Sequence, residues 1–95
     1  MRFDWDDEKN ERNIRNHKID FEDAQNIFHS PMIIRLDNRK DYGEDRWIGT
    51  GFLGNLIVVA VYSAPDNDTT RLISARKANQ HERKRFEKEI SNRLG

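Results

Sequence analysis

The sequence predicts an α+β domain, with helices packed against a mostly antiparallel sheet of about four to five strands. Three observations carry that prediction: alternating apolar residues at the start, capped helical segments before Pro31, and four short β-rich runs separated by turn residues before a final basic helix. At 95 residues, and with 35% hydrophobic content, the chain can bury one core, so residues 1–95 are read as a single domain.

Each element follows from a local pattern. Phe3 and Trp5 alternate with Arg2, Asp4 and Asp6, as in a short strand with one buried face, and Asp6 or Asp7 then caps a helix through EKNERNIRNHK, with Ile14 as its main apolar anchor. Asp20 and Asp23 open a second helix in which Phe21, Ala24, Ile27 and Phe28 recur on one side. Pro31 ends it, because the residue before proline is pushed out of the helical region. MIIRLD reads as a strand, NRKDYGED as a polar loop, and RWIGTGFL as a strand joined through Gly54-Asn55 to LIVVAVY. APDNDT is a turn and RLISA a last strand. Asn79 and Glu82, three apart, form a capping box for a helix from near Asn79 to about Asn92, its apolar stripe made of Phe86, Ile90 and Leu94.

Charge is balanced overall but segregated. Residues 1–30 hold five Lys/Arg against eight Asp/Glu, residues 31–70 four against six, and residues 71–95 eight against three. Such segregation on a small domain marks one face for a polyanion, whereas its bland counterpart is a solvated helix that happens to be basic. The absence of cysteine removes disulfides, thiolate nucleophiles and Cys-ligated zinc, and suits a reducing cytoplasm. The first residues are acidic where a signal peptide would be basic then apolar, and the longest apolar run, Leu56 to Tyr62, is too short to span a bilayer. A cytoplasmic protein with no membrane contact is therefore expected.

The motifs narrow the chemistry. GTGFLG spells a dinucleotide-binding pattern, but a strand follows where that chemistry needs a helix N-terminus, so close packing and a hairpin turn explain the glycines better. His17, His29 and His81 are dispersed, no metal site is expected, and no cofactor is implied. Arg46, Arg71 and Arg76 stand at strand ends, where guanidinium groups can clamp a phosphate and stabilise charge developing on it; the competing reading is salt bridges to Asp37, Asp45 or Glu82. Arg71 and Arg76 are an odd number of positions apart, so they share a face only if the strand ends or bulges between them.

Three blocks, FDWDDEKNERNIRNHKIDFEDAQNIF, YGEDRWIGTG and RLISARKANQHERKRFE, together resemble the BrnT toxins of bacterial type II toxin-antitoxin systems over nearly the whole chain. The resemblance implies a RelE-like ribonuclease fold and metal-independent cleavage of cellular RNA that inhibits growth. It also implies neutralisation by a cognate BrnA-type antitoxin whose ribbon-helix-helix part binds operator DNA, in a hetero-oligomer of possible 2:2 stoichiometry. Carried onto matching positions, it points to His17, Arg46, Arg71 and Arg76. This chain has Lys18 where the family has glycine after the helix-ending histidine, and Phe86 where it often has tyrosine. In the resulting hypothesis the RNA 2′-hydroxyl attacks the adjacent phosphate, Arg46, Arg71 and Arg76 stabilise the added charge, and His17 or Lys18 assists proton transfer. Lys77, Arg83, Lys84, Arg85 and Lys88 hold the flanking backbone electrostatically. The alternative is a non-catalytic basic module that docks an acidic partner or nucleic acid.

Overall fold

A computed structural model describes residues 1–94. Strand β1 (Arg2–Trp5) leads into helix α1 (Asp7–His17), followed by α2 (Phe21–Ala24) and a 3₁₀ segment (Gln25–His29). Strands β2 (Ile33–Leu36), β3 (Trp47–Leu53), β4 (Leu56–Ser63) and β5 (Thr69–Lys77) then precede helix α3 (Gln80–Leu94). The sheet order is β1-β5-β4-β3-β2; every pairing is antiparallel except β1 with β5, which is parallel. This is the α+β class and strand number that the sequence predicts.

The sheet has two unequal faces. On the first, Val58, Ala60, Tyr62, Leu72 and Ala75 pack with Ile19, Phe21, Ala24 and Ile27 in the main core, joined by Phe3 and Trp5. On the second, α3 covers one end through Phe86 and Ile90, which pack with Ile57, Phe52 and Ile33. Phe86 is buried with its ring 5.1 Å from Phe52, edge to face, so it is core, as expected of a phenylalanine at this position. Leu94, placed on the apolar stripe by its spacing, is instead 75% exposed.

Local chemistry explains most boundaries. The Asp6 carboxylate accepts from the Glu8 and Lys9 amides, and Asp20 from that of Glu22. The predicted capping box is present: Asn79 Oδ1 accepts from the Glu82 amide and Glu82 Oε1 from the Asn79 amide. Gly54 (φ +59°) forms the left-handed corner of the β3–β4 hairpin, and a Cβ on Gly49 would collide with Met32 and lie 3.1 Å from Tyr62. Both support the packing explanation of GTGFLG.

Three expectations are revised. The second helix is one α-turn that tightens to 3₁₀, because Phe21, Ala24 and Ile27 recur every three residues and a three-fold winding stacks them on one line against the sheet. The last strand is longer than RLISA, since Thr69 and Thr70 pair with Arg2 and Phe3 at the edge. The anchor of α1 is not Ile14, which is 38% exposed, but buried Asn13. Its amide donates to the Ile19 and Ala75 carbonyls and accepts from the Ala75 N–H, filling the hydrogen-bonding edge of β5 where β1 has ended.

Candidate active site on the second face of the sheet

A bulge assembles the site. Val61 pairs with Ser74 but Tyr62 pairs with Leu72, leaving Ile73 as an extra residue in β5. Without it, Arg71 and Arg76 would point to opposite sides. With it, Arg71 pairs with Ser63 and Arg76 with Val59, both on the face that carries Ile57 and α3.

Pairing registers extend this into a row. Asp4 of β1 lies beside Arg71, and Arg71 beside Ser63. The β3–β4 register, continued one position past Trp47 and Tyr62, sets Arg46 beside Ser63, and the Asp37 amide donates to the Arg46 carbonyl at 2.7 Å. Asp4, Arg71, Ser63, Arg46 and Asp37 thus cross all five strands in order. Arg46 and Arg71 are two strands apart, or ~10 Å between backbones, whereas Arg76 lies ~13 Å further along β5.

Each arginine has a carboxylate partner. Arg71 Nε donates to Asp4 Oδ1 at 3.0 Å, an exposed pair that raises the guanidinium's pKa. Arg76 donates to both oxygens of Glu82 at 2.8 and 2.9 Å, and this fork is the main reason the Glu82 pKa falls to about 2. Arg46 stacks on Tyr42, 4.1 Å from the ring centroid, with Glu44 3.5 Å from Nε. That ion pair lacks hydrogen-bond geometry, so the buried Arg46 Nε has no hydrogen-bond partner among the described residues. Ser63 Oγ, in a residue 1% exposed, has none either. Asp37 is buried and held well below the usual carboxylate range, chiefly by hydrogen bonds from Arg39. Of the three expected salt-bridge carboxylates, Glu82 pairs with Arg76, Asp37 binds Arg39, and Glu44 stands where Asp45 was named.

The other predicted residues are not gathered on this row. His17 and Lys18 end α1, and no hydrogen bond or ion pair among the described residues links either side chain to the arginines; Lys18 Nζ donates to the Arg15 carbonyl. Lys18 itself takes the left-handed conformation (φ 61°, ψ 30°), so the helix end keeps the geometry that glycine favours. Lys77 pairs with Val58 and so faces away from Arg76. The α3 cations diverge: Arg85 lines a groove of about 320 Å³ between α3 and the sheet, with Arg35, Thr50 and Val59. Arg83 falls on the other flank of Phe86, and Lys84 and Lys88 point outward, as ~100° per residue requires. All four are exposed, so the basic helix does not form one surface.

Asp4, Ser63 and Tyr42 join the site without having been singled out. Period-two alternation is the signal for two of them: Phe3 and Trp5 inward put Asp4 outward, and Ser63 follows Ile57, Val59 and Val61 on one face. Among the described residues no group of three or more His, Asp or Glu is placed to hold a metal ion. No helix among them is long and apolar enough to cross a membrane.

Comparison with known proteins bears on this arrangement. No curated protein sequence matches the chain significantly. The chain is similar to the crystal structure of the Brucella abortus ribonuclease toxin BrnT, at 28% identity and a TM-score of 0.66, over 84% of this chain and 99% of that one. The model of the family described as the ribonuclease toxin BrnT of type II toxin-antitoxin systems matches residues 5–82. His17, Arg46, Ser63, Arg71 and Arg76 fall within that span, whereas Arg83, Lys84, Arg85 and Lys88 lie beyond it. A family match over most of the chain, together with a similar fold, makes this chain a member of the BrnT family of ribonuclease toxins.

Proposed function

We propose that this chain is a metal-independent endoribonuclease that inhibits growth by cleaving cellular RNA in the cytoplasm, acts as a single domain, and is neutralised by a BrnA-type antitoxin. The observation that carries the reading is the bulge-assembled row of Arg71, Ser63 and Arg46 on the second face, beyond the end that α3 covers. Two guanidinium groups ~10 Å apart at their backbones flank a position for one phosphate. There they offset the extra negative charge of an in-line attack by the 2′-hydroxyl.

Arg76, tied to Glu82 and further along β5, fits a neighbouring phosphate of the same strand. The carboxylates of Asp4, on the row, and Glu44, beside it, pair with Arg71 and Arg46 and can accept a proton, whereas that of Asp37 is engaged by Arg39. His17 and Lys18, at the end of α1, make no hydrogen bond or ion pair to the row among the described residues, so the row's own carboxylates are assigned the proton transfer. RNA is the substrate because DNA lacks the attacking hydroxyl. The antitoxin must cover this face or the arginines on it, and a ribbon-helix-helix part supplies the complex's operator binding.

The test is incubation of antitoxin-free protein with a defined single-stranded RNA in EDTA, followed by mapping of the ends. Fragments with 2′,3′-cyclic phosphate and 5′-hydroxyl ends are the expected result. Intact RNA with demonstrably folded protein would instead favour the non-catalytic docking module.

A further inference from the structure

Two buried polar atoms on the second face have no partner among the described residues: Arg46 Nε and Ser63 Oγ. They belong to residues that the β3–β4 register sets side by side. A buried donor without a partner is costly, and groups left in that state mark strain, catalysis or a ligand. Nothing in the fold requires a hydroxyl at the end of β4. Val59 and Val61 precede it on the same strand and face, so the strand itself does not call for a hydroxyl.

We infer that Ser63 is a substrate-binding residue: its Oγ–H and the Arg46 Nε–H donate together to one non-bridging oxygen of the RNA phosphate held between Arg46 and Arg71. This rests on the ribonuclease reading for the identity of the ligand. The two donors suit an acceptor-only phosphate oxygen, which satisfies both at once. Glu44, whose 3.5 Å approach to Arg46 Nε makes no hydrogen bond, occupies the acceptor's place loosely and gives it up without breaking one. Tyr42 stacks on the Arg46 guanidinium and limits its movement.

The test uses single-stranded RNA with 2′-O-methyl groups throughout, which cannot be cleaved, and reads binding by fluorescence anisotropy for wild type, Ser63→Ala, Arg46→Ala and the double variant. Ser63→Ala is expected to weaken binding at least ~5-fold, while its melting temperature is no lower than that of wild type, since it removes an unpaired buried hydroxyl. The double variant is expected to bind within ~2-fold of Arg46→Ala alone, because both donors serve one oxygen. Binding by Ser63→Ala within ~2-fold of wild type, or penalties that simply multiply, would overturn the inference, as would wild type that binds no RNA. Should Ser63→Ala fail to fold, Ser63→Cys keeps the size with a weaker donor, and its expected affinity lies between wild type and Arg46→Ala; affinity equal to wild type overturns the inference. Unmethylated RNA assayed in parallel separates the two readings. RNA left intact by a wild type whose binding depends on Ser63 contradicts the nuclease alone, and cleavage unchanged in Ser63→Ala contradicts this inference alone.

Discussion

Asn13 shows how much one polar residue can hold. It is buried, donates to two carbonyls and accepts from the Ala75 amide, joining α1 to β5 and to the turn at Ile19. Asn13→Ala leaves a buried N–H and carbonyls unpaired, and the expected loss in urea unfolding is about 3 kcal/mol; a loss below about 1 kcal/mol would mean that water replaces the amide. Lys18 is the opposite case, a non-glycine residue at φ 61° whose N–H still closes the helix on the Ile14 carbonyl at 2.9 Å. Lys18→Gly is expected to raise stability by about 1 kcal/mol, because glycine adopts that conformation without a Cβ clash. Neither residue's role was legible. Asn13 breaks no apolar pattern and its partner in β5, Ala75, is 62 positions away, while Lys18 shows only that a helix can end on a residue that dislikes the geometry.

Helix α3 is fastened to the sheet by Glu82, which caps its own first turn and grips Arg76 of β5. The Glu82 carboxyl titrates at about 2 in the folded protein against an ordinary 4.5, so its stabilisation is present above pH 4.5 and is lost as pH falls towards 2. Glu82→Gln is therefore expected to be less stable than wild type by about 1 kcal/mol at pH 6, a figure reduced for the pair's partial exposure. The gap should narrow between pH 4.5 and pH 2 in urea titrations; a gap independent of pH would place the helix anchor elsewhere. Strands, hairpin and capping box were readable because each rests on neighbours within a few residues: alternation in β4, Gly54-Asn55, Asn79 with Glu82. The bulge at Ile73 was not, because RLISA alternates plausibly in either register and only pairing with β4 reveals the extra residue.

For the molecule as a whole, the consequence of that bulge is a division of labour between two faces. The first buries the core under α1, α2 and the 3₁₀ segment; the second keeps α3 to one end and leaves a row of charged groups across the other. The sequence located Arg46, Arg71 and Arg76 at strand ends but could not say which converge, since convergence depends on strand order and on carboxylates distant in the chain, Asp4 above all. It also overstated the basic helix, whose cations diverge around its axis. The central claim is that Arg46 and Arg71 together form the phosphate-stabilising pair. The direct measurement is the single-turnover cleavage rate in EDTA of wild type, Arg46→Ala, Arg71→Ala and His17→Ala, each checked for folding by circular dichroism. Losses of at least ~100-fold for each arginine variant, with His17→Ala within ~10-fold of wild type, are the predicted result. Near-wild-type rates for Arg46→Ala and Arg71→Ala, or activity lost only in His17→Ala, would contradict the account and move the chemistry to the end of α1.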